Sequence, residues 1–116
     1  MLSIEQFFKC LSDTTRLRCI ILLQKEGKLC VCELTAALDL SQPKISRHLA
    51  LLRQCGLLSD KREGQWVFYQ INSELPSWAY PILDNAVTAV SNNKQFKDDL
   101  ERLDNMASRP EISTCC

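Results

Sequence analysis

No apolar stretch in this 116-residue chain approaches the roughly 18 residues that a membrane-spanning helix requires. The longest, Cys19 to Leu23, is bracketed by Arg18 and Gln24, which excludes a transmembrane protein. A secretory leader is not expected either: Glu5 stands where such a leader carries positive charge, and no long apolar segment follows. The expected location is therefore cytoplasmic. Glycine and histidine are scarce, at three and one. There is no glycine-rich phosphate loop, no histidine beside a nucleophile in a recognisable motif and no cofactor fingerprint, so a small reductase built on Cys-x-Cys has little support. Net charge is absent too, since 14 Lys+Arg balance 14 Asp+Glu.

That balance hides an asymmetry. Residues 1 to 40 sum to zero, 41 to 70 to +3, and 72 to 116 to −3, so one central segment is basic. Cysteine is abundant, at seven. An odd count in a reducing compartment does not make a disulfide framework, which leaves free thiolates, metal ligation or redox chemistry.

Apolar spacing predicts a helix over residues 3 to 11 (Ile4, Phe7, Phe8, Leu11) and a second, capped by Asp13 or Thr14, reaching about Lys25 and stopped by Gly27. A short helix over 31 to 38 and a tight connection, Asp39-Leu40-Ser41, lead into a fourth helix from Gln42 to Cys55. This is helix-turn-helix order. Leu57 to Arg62 and Gln65 to Ile71 then read as strands around a Glu63-Gly64 turn. The expected fold is thus mainly α with a small β-hairpin: a winged helix-turn-helix. Pro76 suits the first turn of a further helix carrying Trp78, Ile82, Ala86, Ala89 and Val90, and Phe96, Leu100 and Leu103 repeat the spacing as part of the same helix or of another. With a core already available in the first 71 residues, this stripe is expected to serve a dimer interface. One domain over residues 1 to 106 and a flexible tail over 107 to 116 complete the expectation.

On a helix turning about 100° per residue, Ile45, Leu49 and Leu52 share one face, leaving Pro43, Lys44, Ser46, Arg47 and Ala50 on the remaining circumference. Polar donors therefore gather in the N-terminal half, where a recognition helix meets base edges and where free N–H groups favour phosphate. Ser41 can cap this helix, while Gln42, Lys44, Ser46 and Arg47 can reach bases or phosphates of double-stranded DNA. A solvated basic face is the bland alternative. Lys61 and Arg62 beside the wing turn, in the same basic segment, favour the DNA reading. His48 lies at the border of the apolar face and can either pack or contact DNA; beside the outward-facing Ser46 and Arg47 it is expected among the DNA-contacting residues.

Cys30-Val31-Cys32 opens the helix before the recognition helix. Two thiols separated by one residue suit a soft, thiophilic ion, and a helix N-terminus is expected to lower their pKa. Residues i and i+2 diverge by about 200° in a helix but share a side in extended chain, so joint ligation needs an unwound first turn. A distortion there would reach the recognition helix one turn away, coupling the ligand to DNA. Cys10 and Cys19 fall on apolar faces and are expected in the core; Cys55 is read as structural. Cys115-Cys116 form a vicinal pair on the tail.

The segments Leu29-Cys30-Val31-Cys32-Glu33-Leu34 and Ser41-Gln42-Pro43-Lys44-Ile45-Ser46-Arg47-His48-Leu49 resemble the ArsR/SmtB family, in particular its arsenical-resistance repressors. Leu11 to Arg18 and the wing Arg62 to Val67 extend a similarity that runs from Phe7 to about Trp78. The resemblance implies a repressor, dimeric through its terminal helices, that leaves its operator when trivalent arsenic or antimony binds Cys30 and Cys32. Repressors using this site carry a third cysteine three residues after the second; here that residue is Thr35. The third donor is then an exogenous thiol, hydroxide, or Cys115 or Cys116, whereas methylarsenite needs only two thiolates. Cadmium and lead sensors of the family complete the site from an N-terminal extension, while Cys10 here falls inside a predicted helix. Zinc, nickel and cobalt sensors use C-terminal histidines, and none follows Glu74. A thiol redox or persulfide sensor on the same fold, or a cadmium/lead sensor, is the alternative reading.

Overall fold

The computed structural model describes residues 2–106. Helix α1 (Ile4–Leu11) begins with a reciprocal cap in which the Gln6 N–H donates to Ser3 Oγ and the Ser3 N–H donates to Gln6 Oε1, each at 3.2 Å. Helix α2 (Thr14–Glu26) is capped by Asp13, whose carboxylate accepts the Arg16 N–H at 3.0 Å. Gly27 ends it at φ 95°, a conformation that costs a side-chain-bearing residue steric strain. Then follow β1 (Lys28–Cys30), α3 (Val31–Leu38), α4 (Gln42–Gln54), β2 (Leu58–Glu63), β3 (Trp66–Ile71), α5 (Ala79–Ala89) and α6 (Lys94–Asp104).

The sheet has three antiparallel strands in the order β1-β3-β2, where the sequence predicts a two-stranded hairpin. The extra strand is only three residues long, too short for a period-2 pattern, and its partners lie some forty residues later, Lys28 opposite Gln70 and Cys30 opposite Phe68. The hairpin turn is Gly64-Gln65, one residue beyond the expected position, because Glu63 pairs with Trp66. Gly64 supplies the positive φ, 65°, that such a two-residue turn uses.

The C-terminal apolar stripe forms two helices, with Asn93 capping the second. Pro76 precedes α5, and Pro81 occupies its first turn instead. Nor does the core stop at residue 71. Leu75, Ala79, Leu83 and Leu103 join Phe7, Ile20, Leu23, Leu34, Ile45 and Leu49 in one apolar cluster. Of the stripe expected to face a partner, Phe96 and Leu103 are buried within the chain and Ile82, Ala86, Val90 and Leu100 partly so, where α5 and α6 close apolar faces of α2, while Trp78 and Ala89 stay exposed.

Helices α2, α3 and α6 are joined by a buried ion cluster. Arg18 donates from Nε to Asp99 Oδ2 at 2.8 Å and from Nη2 to Asp99 Oδ1 at 2.7 Å, and Asp99 is 1% exposed. Arg102 donates to the same Oδ1 at 2.9 Å. The two arginines also donate to the Leu38 and Ala37 carbonyls at 2.9 and 2.7 Å, groups that the end of α3 leaves without helical partners.

Candidate nucleic-acid interface and thiol site

Helix α4 presents Ile45, Leu49 and Leu52 to the core, fully buried. Ser41, Gln42 and Arg47 are exposed, and Lys44 and Ser46 are half-buried. Ser41 occupies the N-cap without a side-chain bond to the helix, which leaves its hydroxyl available to other partners. Gln42 Nε2 donates to Ser46 Oγ at 3.1 Å, holding two polar side chains against each other. Lys44, Arg47 and Arg62 make no ion pair among the described residues. Uncompensated cations on one face are the electrostatic footprint that phosphate requires. Lys61 is exposed on β2, 3.9 Å from Glu63, a carboxylate shared with Lys28.

His48 turns toward α2. Its Nε2 lies 3.9 Å from Asp13 Oδ2 with the ring mostly covered, and burial lowers its pKa against the opposing pull of Asp13. The ring thus sits between α4 and the cap of α2, with a fifth of its surface exposed. Sequence reasoning passes over Leu51, 44% exposed on the same helix. At about 100° per residue it falls between Lys44 and Arg47, an apolar side chain amid the outward cations.

Cys30 and Cys32 lie where strand becomes helix. Cys30 is both the last residue of β1 and the N-cap of α3, with extended backbone (φ −85°, ψ 167°), and Cys32 is in the first turn. Both are buried, at 0% and 1% exposure. A reciprocal capping box holds the junction: the Cys30 sulfur takes the Glu33 N–H, and Glu33 Oε1 accepts the Cys30 N–H at 2.9 Å. The expectation of a lowered pKa is overturned for Cys30. Burial pushes its thiol up, and the Glu33 N–H only partly offsets this, because desolvation penalises thiolate more than one donor repays.

The backbone at Cys30 is thus already extended, and only the turn carrying Cys32 is helical. Thr35, at the position of the missing third sulfur, donates its hydroxyl to the Val31 carbonyl at 2.8 Å. No group of three or more His, Cys, Asp or Glu side chains that could hold a metal ion occurs among the described residues. Among the described residues the donors at this junction are two soft sulfurs, which fit a thiophilic trivalent element. Cys115 and Cys116, the candidate third ligands, and the proposed tail lie outside the described residues. Cys10 and Cys19 are buried, as expected.

Cys30 is linked through the fold to both the wing and α4. Across the sheet, Cys30 pairs with Phe68, which pairs with Lys61, so the thiol and a wing cation occupy one cross-strand row. Helix α3 ends at Asp39 in the left-handed conformation (φ 56°), and Ser41 begins α4 two residues later.

A family model described as "Bacterial regulatory protein, arsR family" matches residues 13–60, the stretch from the α2 cap through the recognition helix into β2. The arsenic resistance transcriptional regulator ArsR2 of Pseudomonas putida is 51% identical over 117 residues, covering 100% of both chains. This chain belongs to the ArsR family. The arsenical resistance operon repressor of Escherichia coli is 57% identical over 81 residues, covering 70% of this chain and 69% of that protein. Among solved structures, HlyU from Vibrio cholerae matches with a TM-score of 0.66 and 30% identity over 73% of this chain and 88% of that one. Within the ArsR family this chain is a winged-helix transcriptional regulator, not an enzyme. No helix among the described residues is long and apolar enough to cross a membrane.

Proposed function

We propose that this ArsR-family regulator binds operator DNA as a homodimer and releases it when trivalent arsenic or antimony binds Cys30 and Cys32. The observation that carries the reading is the position of this buried cysteine pair, whose Cys30 is in register with the wing through Phe68 and one helix away from α4. The names of the arsenical-resistance relatives support the inducer class. Ser41, Gln42, Lys44, Ser46 and Arg47 would meet the major groove, with Leu51 offering apolar contact to thymine methyl groups. Lys61 and Arg62 would meet flanking backbone, and His48 would hold α4 against α2. Ile4 and Phe8, each about half-exposed on α1, supply an apolar surface for the partner subunit.

Cys30 and Cys32 would hold the inducer, which supplies strong bonds to sulfur. Bringing both sulfurs to one centre asks the Cys32 turn to give up helical geometry. The Cys30–Glu33 capping box would loosen with it, shifting the start of α3, the β1–β3 register and thereby the approach of α4 and the wing to DNA. Ligand and DNA then favour different backbone states, which is all that coupling requires.

The test is fluorescence anisotropy of the reduced protein on DNA from upstream of its own gene, titrated separately with arsenite, methylarsenite, antimonite, cadmium and hydrogen peroxide. Release by a trivalent metalloid, lost in Cys32→Ser while repression persists, is the expected result. Normal release of Cys32→Ser by arsenite refutes the site. Release by peroxide alone moves the assignment to a redox sensor, and release by cadmium alone to a cadmium/lead sensor.

A further inference from the structure

Helix α3 ends where the recognition helix is about to begin. Its Thr35 carbonyl accepts the Asp39 and Leu40 N–H groups, the latter at 3.3 Å, but the Ala37 and Leu38 carbonyls are held by side chains from other helices. Arg102 of α6 donates from Nε to Ala37 at 2.7 Å, and Arg18 of α2 donates from Nη2 to Leu38 at 2.9 Å. Both arginines also donate to Oδ1 of the buried Asp99. One carboxylate therefore orients two guanidinium groups, and these tie the end of α3 to α2 and α6. A planar fork of fixed donors suits this double task, which the compact ammonium of lysine does not match.

The N-terminal half of α6 flanks the same turn: Lys94, Gln95 and Asp98 line one groove with Leu38, Asp39 and Leu40. The connection onward is short. Asp39 is left-handed, Leu40 packs partly buried against the core, and Ser41 is already the N-cap of α4. A shift at Ala37 and Leu38 has only these residues in which to be absorbed before it reaches Gln42 and Lys44. Packed elements transmit such a shift because close packing leaves them little room to deform.

We propose that Arg102 is a positioning residue for operator binding: through the Ala37 carbonyl and Asp99 it clamps the end of α3, and with it the N-terminal half of α4, in the orientation that meets DNA. Helix α6 then serves DNA binding without touching DNA. Arg102 is 41% exposed, so its removal leaves no buried charge behind, unlike removal of Asp99 from beneath Arg18. The inference rests on the operator-binding role given to α4 and is independent of the inducer that the cysteines take.

The test compares the full chain with Arg102→Ala, with Arg102→Met, which keeps much of the aliphatic stem, and with a control on the same helix, Lys94→Ala, whose ammonium is 88% exposed. Far-UV circular dichroism establishes that each variant is folded. Fluorescence anisotropy on DNA from upstream of its own gene is read at several salt concentrations. Both Arg102 variants are expected to bind about tenfold more weakly, within the range that changes along a coupling network produce, with the salt dependence unchanged. Lys94→Ala should bind as the wild type does. Hydrogen–deuterium exchange supplies a readout independent of DNA: the amides of residues 39–42 should exchange faster in the Arg102 variants, and those of residues 19–23 in α2 should not. Unchanged affinity or unchanged exchange at the turn overturns the proposal. A loss of affinity with a salt dependence flatter by about one charge overturns it too, since Arg102 would then be a phosphate contact. A wild-type protein that does not bind this DNA removes the operator role of α4, a failure distinct from that of the clamp, which exchange at the turn still decides.

Discussion

Replacing Asp99 by alanine should be among the most destabilising single changes in this protein. Asp99 accepts two hydrogen bonds from Arg18 and a third from Arg102, at 2.7 to 2.9 Å, with 1% of its surface exposed. The Arg18 side chain is itself only 8% exposed. Removing the carboxylate strands a buried guanidinium, a loss that runs to about 3–5 kcal/mol, a large fraction of the total for a domain this size. Arg102 is 41% exposed and can rehydrate, so Arg102→Ala should cost much less, its main loss being the bond to the Ala37 carbonyl. Replacing both partners, Arg18→Met with Asp99→Leu, should cost less than Asp99→Ala alone, since an apolar pair of similar volume leaves no buried charge. Urea denaturation followed by circular dichroism, at one fixed protein concentration so that any self-association is held constant, measures all three. An Asp99→Ala loss below about 1 kcal/mol, or a double variant worse than the single one, would refute this reasoning.

Two further predictions follow from the exposed face and the caps. Arg47→Ala should weaken operator binding by about 1–3 kcal/mol if the guanidinium reads a base, while leaving metalloid binding intact. If it meets only phosphate, affinity should fall equally across sequences and the salt dependence should flatten by about one charge, so anisotropy at several salt concentrations separates the two. The Asp13 carboxylate is held below its ordinary value of 3.8, chiefly by the Arg16 N–H. Its contribution is therefore complete above that value and disappears as the pH falls through the lower, folded-state pKa. Asp13→Asn should flatten that part of the acid unfolding curve at little cost near neutrality, since asparagine caps about as well. An unchanged acid limb would contradict the assignment.

Much of the fold was legible in the sequence because its determinants are local. Ser3, Asp13 and Gly27 mark helix ends through groups within four residues of them, and the apolar faces of α1 and α4 repeat at helical spacing. The recognition helix, the wing and the cysteine pair could be placed for that reason, as could membership of the family. Strand β1 could not. Lys-Leu-Cys has no pattern of its own, and only the distant β3 gives it a ladder. The same is true of Pro81, which takes the role expected of Pro76.

By itself, then, the sequence determined the candidates for the chemistry: Cys30 and Cys32, the cations of α4 and the wing, and the helix-turn-helix that presents them. Tertiary structure decided how those residues are engaged. It set Cys30 in a strand row with Phe68 and Lys61, buried it until its thiol was harder rather than easier to ionise, turned His48 toward Asp13, and folded α5 and α6 onto the core. It also joined Arg18 to Asp99 across 81 residues. These outcomes depend on burial and on partners brought together from remote positions, and neither quantity is a property of any local window of sequence.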